Sequence, residues 1–547
     1  MNPKTAITTT LGLLATTLSA AAATAGQVKS GETAKGRRPN LLVIMTDQQR
    51  WDALGIAGAF GFLQTPNLDK LAREGAWMRH AYTPCAVSAP ARASILTGLL
   101  VEHHGLNTNE RASVDPASYG LTDKTTSDEI LDRAGYYAEY HGKWHTPLRW
   151  LDAYQHTDYV TPQKKNPFKY EMGDLLRYHQ ILAAAYSTRQ PGPGELTDGY
   201  FEMPYRPDPI DRRVFEGERF EQSVARRPLT QPDNNGELLI DNKYAITPYQ
   251  AKEAIAAIKR GAAGSKPFAV TCSFMFPHAP MLPTAPYYGM YPAASMPVPA
   301  SIADPMVDSP YKNANGRNLL PQYGRPELIK YMMSNYFALV TELDKWVGEI
   351  IAALDATGQR ENTLVVFLSD HGEMLGSHAM REKNIFLEES ARVPLIINWK
   401  GTIRPIVSDS YVSTLDLFPT IMDYLGVQAD QRDGRSLRPE IEGMAKGDGF
   451  VITEWLYQGP SQPTHMIVDG GWKLFLSYDP ASSVPPVLYN LSDDPLEMHN
   501  LIGASNPSRS KYAAKATELR DKMAQWLADR GSQYAAPMRQ IKLGIRN

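Results

Sequence analysis

A chain of 547 residues, 43% hydrophobic and 21% charged, has an ordinary globular composition and is long enough for one very large domain or two to three average ones. Its formal net charge of −3 lacks the basic footprint of a nucleic-acid binder. With only Cys85 and Cys272, no disulfide framework holds it together.

At the amino terminus, MNPK supplies one positive charge, TAITTTLGLLATTLSAAA is an apolar run of small residues, and Ala23-Thr24-Ala25 precedes Gly26. The pattern predicts a secretory signal peptide over 1–25 and an exported product, periplasmic or secreted. A polar linker over 26–39 follows. No other apolar run reaches the ~18 residues that span a bilayer.

The main body alternates strands and helices. NLLVIMTDQQ is an apolar strand that stops at Asp47, and TPNLDKLAREGAWM reads as a helix. In TPCAVSAPARASILTG a turn feeds a helix, with Pro90 suited to the first helical position and Ser88 just before it. YYAEYHGKWH is a shorter strand ending at Lys143 and His145. Residues 151–250 are rich in Tyr, Arg and Pro and read as an excursion from the core, with Tyr154, Tyr170, Tyr178, Tyr200, Tyr205, Arg206, Arg212 and Arg213 suited to an anionic sugar. PFAVTCSFMFPHAP is a strand with a polar end at His278. After the helical LIKYMMSNYFALVTELDKWVGEIIAALDATG, TLVVFLSDHGE ends in Asp370-His371. This alternation predicts an α/β domain over 40–448 with a largely parallel sheet, whose ligands bind beyond the carboxyl ends of the strands. From Gly449, four short strands (FVITEWLY, THMIVDGG, WKLFLSYD, PVLYNLSDDP) and the helix YAAKATELRDKMAQWLADRG predict a small antiparallel α+β subdomain over 449–535, with a tail over 536–547.

The strand-end side chains carry the chemistry. Asp47-Gln48 and Asp370-His371 each offer a carboxylate and a second donor, so two strand ends can share one divalent cation. Oxygen donors suit Ca²⁺, Mg²⁺ or Mn²⁺, with His371 tilting slightly toward a borderline ion.

Ser88-Ala89-Pro90-Ala91-Arg92, followed by ASILTG, resembles the (Cys/Ser)-x-Pro-x-Arg signature of the formylglycine-dependent sulfatases, here of the serine type. RPNLLVIMTDQQ, TPNLDKLAREGA, GYYAEYHGKWH, FPHAP, NTLVVFLSDHGEMLGSH, REKNIFLEESARVPLII, STLDLFPTIMDYLGV and LYNLSDDPLEMHNL match the family in order, from about Pro39 to Asn500. The resemblance implies an alkaline-phosphatase-like fold, a mixed and largely parallel sheet between helices. It also implies oxidation of Ser88 to formylglycine by a radical-type maturase. The implied cation, Ca²⁺ ahead of Mg²⁺ or Mn²⁺, is held by Asp47, Gln48, Asp370 and His371 beside residue 88. Arg92 would hold the nucleophile and the metal-side oxygens, and Lys143 and Lys383 the sulfate oxygens. His145 would take a proton from the second hydroxyl, and His278, with Lys383, would protonate the leaving oxygen. His378 reads equally as a substrate contact or as a loop histidine, and Cys85 as a small buried residue. Gln48 and His371 stand where the family often has Asp and Asn, as in relatives that include phosphonate and phosphate-ester hydrolases.

The leading expectation is therefore an exported sulfatase acting on a sulfate ester, probably of a carbohydrate. A phosphonate monoester or phosphodiester hydrolase is the alternative. A non-catalytic carbohydrate-binding relative is more remote, because every candidate position is retained.

Overall fold

The structure, a computed structural model, describes residues 38–109, 124–146, 235–238, 241–279, 281–312, 324–447, 449–457 and 459–544. The signal-like run and most of the Tyr/Arg-rich excursion, including its eight named side chains, lie outside these residues. The excursion is shorter than its predicted limit, because a helix packed on the core already begins at Ile246.

Among the described residues, eight strands form the main sheet: β1 (Asn40–Asp47), β2 (Ala76–Tyr82), β3 (Tyr137–Gly142), β4 (Phe268–Pro277), β5 (Thr363–Ser369), β6 (Arg392–Val393), β7 (Leu395–Asn398) and β8 (Ile406–Ser413). Their order is β3-β4-β1-β5-β7-β2-β6, with β8 on β2. The first four are mutually parallel, as the long apolar runs predict. β7 runs antiparallel to β5, and β2 antiparallel to β6 and β7, making the sheet mixed.

All eight residues of β1 are buried, and their alternation divides them between two cores. Leu42 and Ile44 pack with residues of the helices Pro66–Arg73, Ile246–Ala263 and Pro326–Ala356. Leu41, Val43 and Met45 face the helices Ser88–Thr97, Ser127–Arg133 and Leu417–Leu425. A sheet covered on both faces leaves only its ends for chemistry.

Two local expectations change. The TPNLDKLAREGAWM helix stops at Arg73, and Ala76–Met78 already belong to β2. Gly75 makes the break: a Cβ there would sit 2.7 Å from the Ile397 carbonyl oxygen, so only glycine lets the chain enter the sheet against β7. The second helix begins at Ser88, with Val87 as its extended cap, so Ser88 is in the first turn rather than before it.

A second, antiparallel sheet comprises β9 (Phe450–Glu454), β10 (His465–Asp469), β11 (Trp472–Leu476) and β12 (Val487–Asn490), in the order β12-β11-β10-β9. Ile452, Ile467, Leu474 and Leu488 face the helix Ala513–Ala528. Val451, Met466, Val468 and Phe475 pack against Met374, Phe386 and Leu387 of the main unit. The small sheet thus supports the segment that follows Asp370-His371.

Candidate active site

The carboxyl ends of the four adjacent parallel strands converge as the sequence predicts. Asp47 closes β1, Asp370 follows β5, Lys143 follows β3 and His278 follows β4. Gly142 makes the exit from β3 possible. Its φ is 93°, a Cβ there would lie 1.8 Å from the Ser273 carbonyl oxygen, and that same oxygen accepts from Lys143 N at 2.8 Å.

Ser88, Asp47, Gln48, Arg92, Lys143, Asp370, His371 and Lys383 are all buried. Ser88 Oγ lies 2.8 Å from His371 Nε2. His371 Nδ1 lies 2.9 Å from the Gly372 carbonyl, which can only accept; Nδ1 therefore carries the proton and Nε2 is the acceptor facing Ser88. Donor atoms of Asp47, Asp370 and His371 all lie within 4.8 Å of one another, the only such cluster of three or more among the described residues. Asp47 Oδ1 is buried with no hydrogen-bond partner. An orphaned carboxylate oxygen beside an imidazole lone pair and a second carboxylate fits a divalent cation.

Arg92 braces this set. Its Nε donates to Asp370 Oδ2 at 2.8 Å and its Nη2 to Asp47 Oδ2 at 3.3 Å. Nη1 donates to the Lys143 carbonyl at 2.7 Å and to Ser273 Oγ at 2.8 Å. Arg92 therefore holds the Asp47 and Asp370 carboxylates together. Lys143 Nζ lies 2.5 Å from Asp47 Oδ2. Burial would raise the Asp47 pKa, but Lys143, His278 and Arg92 outweigh it and hold the carboxyl well below its ordinary range.

On the opposite side, Lys383 Nζ lies 3.0 Å from His278 Nε2 and donates to Gln48 Oε1 at 2.5 Å. His278 Nδ1 faces the Ala279 carbonyl at 2.5 Å, so Nδ1 is protonated and Nε2 accepts from the ammonium. Burial, then the Lys383 charge, lowers the His278 pKa well below its ordinary value; burial also lowers that of Lys383. The pair is thus a neutral imidazole beside a proton-bearing amine. His145 is buried with a left-handed φ of 52°, and its pKa is lowered well below the usual value by burial and then by Lys143 and Arg92.

His378 does not join this group. Its Nδ1 pairs with Asp304 Oδ2 at 2.7 Å, and its N–H donates to Ser301 Oγ at 3.2 Å, which ties the segment after β5 to the Ala300–Ala303 turn. Cys85 is fully buried, as its sequence context suggested, and burial raises its thiol far above the ordinary pKa.

Three contributors escaped the sequence reading. Tyr336, in the Pro326–Ala356 helix, donates its hydroxyl to Gln48 O at 2.8 Å and accepts from Arg50 N at 2.9 Å, pinning Gln48 at a left-handed φ of 68°. Asn109 Oδ1 accepts from Ala89 N at 2.9 Å, beside Ser88. Glu373 accepts from Gln48 Nε2. Glu373 stands in TLVVFLSDHGE and Tyr336 in the helical run LIKYMMSNYFALVTELDKWVGEIIAALDATG, but neither stretch signals its contact with Gln48.

A mixed sheet between helices, with charged side chains gathered beyond its parallel strand ends, has alkaline-phosphatase architecture. The sulfatase family model matches residues 39–427, and a model described as N-sulphoglucosamine sulphohydrolase, C-terminal, matches 376–528. The chain belongs to the sulfatase family, and is as such a sulfuric ester hydrolase. It is 28% identical to the multifunctional alkaline phosphatase superfamily protein PehA of Trinickia caryophylli, over 89% of this chain and 95% of that protein. It is 26% identical to an N-acetylglucosamine-6-O-sulfatase of Bacteroides thetaiotaomicron, over 91% and 87% respectively. The phosphonate monoester hydrolase of Agrobacterium radiobacter shares the fold, with a TM-score of 0.68 and 22% identity over 90% of this chain and 96% of that one.

Proposed function

We propose that the protein is an exported sulfatase that hydrolyses a sulfate ester of a carbohydrate, with Ser88 converted to formylglycine as its nucleophile. The observation that carries this reading is the buried Ser88 hydroxyl, 2.8 Å from His371 Nε2 and within a donor set suited to a divalent cation. The chain supplies the (Ser)-x-Pro-x-Arg context, and a relative named for a saccharide sulfate supports the substrate class.

Asp47, Gln48, Asp370 and His371 would hold the cation, Ca²⁺ ahead of Mg²⁺ or Mn²⁺, which when bound supplies charge withdrawal from the nucleophile and the ester oxygens. A formylglycine at 88 would supply a hydrated aldehyde with two hydroxyls, and with them an exit from the covalent ester that plain serine lacks. Lys143 and Lys383 bind the anionic oxygens. Arg92 keeps Asp47 and Asp370 aligned. The Lys383–His278 pair holds a transferable proton between Nζ and Nε2 for the leaving oxygen, and neutral His145 accepts one from the second hydroxyl. Because folding buries Ser88, a radical-type maturase must reach it on the unfolded chain, before export.

A phosphonate monoester or phosphodiester hydrolase is the second reading, favoured by the Gln48/His371 donors and the multifunctional relative. Paired kinetics on aryl sulfate and aryl phosphonate monoesters separate the two, and sulfate release from a panel of sulfated saccharides identifies the substrate. A kcat/KM that is higher for the sulfate supports the sulfatase reading. A preference for the phosphonate replaces it.

A further inference from the structure

Glu373 lies three residues beyond Asp370, outside the donor set, and is fully buried. Its Oε1 accepts from the backbone N–H groups of Leu375 at 3.0 Å and Glu382 at 2.5 Å, and its Oε2 accepts from Gln48 Nε2. All three partners are N–H donors, which the carboxylate form matches. At the other end of the Gln48 side chain, Lys383 Nζ donates to Oε1 at 2.5 Å. A carboxamide is nearly symmetric in shape but not in chemistry: its nitrogen only donates and its oxygen only accepts. Gln48 stands between an acceptor-only carboxylate and a donor-only ammonium, so one of its two orientations satisfies both neighbours and the reverse satisfies neither. An amide ligates a cation through oxygen alone.

We propose that Glu373 is a positioning residue for the cation cluster, fixing the Gln48 carboxamide with its oxygen on the side of Lys383 and the donor set. The inference rests on the reading that Asp47, Gln48, Asp370 and His371 hold a divalent cation. It makes a chemical demand on the pair: residue 373 must accept from residue 48, or residue 48 must accept at both ends.

In Glu373→Gln, the new amide oxygen must keep the Leu375 and Glu382 N–H groups, so its NH₂ faces Gln48, which turns over. Calcium titrated calorimetrically into chelator-stripped, full-length protein should then bind at least ~10-fold more weakly than to wild type. The double variant Q48E/E373Q presents a carboxylate at position 48 to both the amide NH₂ at position 373 and Lys383, and should bind within ~3-fold of wild type. A residue that merely supports the fold would show no such rescue. Wild-type affinity in E373Q overturns the proposal, as does a double variant no better than E373Q. Should E373Q fail to fold by circular dichroism, the double variant alone decides. Folding with calcium binding supports the proposal, and failure of either overturns it. Wild-type protein that takes up no Ca²⁺, Mg²⁺ or Mn²⁺ by elemental analysis overturns the cation reading itself, a result distinguishable from failure of the Gln48–Glu373 pairing alone.

Discussion

Two buried clusters in this molecule set lysines among carboxylates, and they are built to different ends. In the first, on β11, Lys473 Nζ meets Glu388 Oε1 at 2.8 Å, Glu497 Oε1 at 2.7 Å and the Phe386 carbonyl at 2.9 Å. That single ammonium is flanked by two carboxylates and a carbonyl. In the second, at the strand ends, Lys143 shares Asp47 with Arg92, Lys383 divides its contacts between Gln48 and His278, and Asp47 Oδ1 has no hydrogen-bond partner. A lysine on β11 paired with Glu388 and Glu497 of the flanking segments marks a joint between the small sheet and the main unit. Donor atoms of Asp47, Asp370 and His371 converging among concentrated charges mark a place left for something else to bind.

That contrast orders the tests. Ser88→Ala should lower activity by at least ~10⁴-fold with a melting temperature within a few degrees of wild type, because a single hydroxyl in the second cluster serves chemistry rather than folding. A parallel loss of stability, read by thermal denaturation, would erase the distinction between the clusters. Lys473→Met should do the reverse, costing about 3–5 kcal/mol in denaturant unfolding because it removes the cation that the buried Glu388 and Glu497 share, while folded protein keeps its turnover.

Chelation should abolish activity and lower the melting temperature, and added Ca²⁺ should restore both, since a ligand bound only by the folded state stabilises it. In Asp370→Ala, calcium should no longer raise the melting temperature. The smallest effect is on acid stability. Lys473 and Arg392 outweigh burial and hold Glu388 at about 2, against an ordinary 4.5. A depressed carboxyl contributes stability that is fully present above pH ~4.5 and is lost as pH falls through ~2. Glu388→Gln should flatten that part of the stability–pH curve.

The strand ends were legible because a buried parallel strand is a predominantly apolar run, and its first carboxylate or imidazole stands out, as Asp47, His278 and Asp370 do. Lys143 follows a weaker run, which Gly142 terminates. The supports were not legible. Tyr336 lies on a helix whose other tyrosine, Tyr331, looks alike in sequence, and its contact with Gln48 depends on how that helix crosses the sheet. Glu373 was visible in SDHGE, but its partner lies 325 residues away. The split of the TPNLDKLAREGAWM run at Gly75 was hidden because an approach of backbone to backbone leaves no periodic signal.

Conversion of Ser88 to the proposed formylglycine nucleophile changes the mass of one tryptic peptide. Trypsin cleaves after Arg79 and Arg92 and releases His80 to Arg92 as a single peptide. In a preparation whose sulfate-releasing activity is measured on the same sample, that peptide should be lighter than encoded by two hydrogens, with fragment ions placing the loss on Ser88. The modified fraction should rise and fall with activity across hosts that have or lack a radical-type maturase. Fully active protein whose Ser88 peptide has its encoded mass would contradict the account.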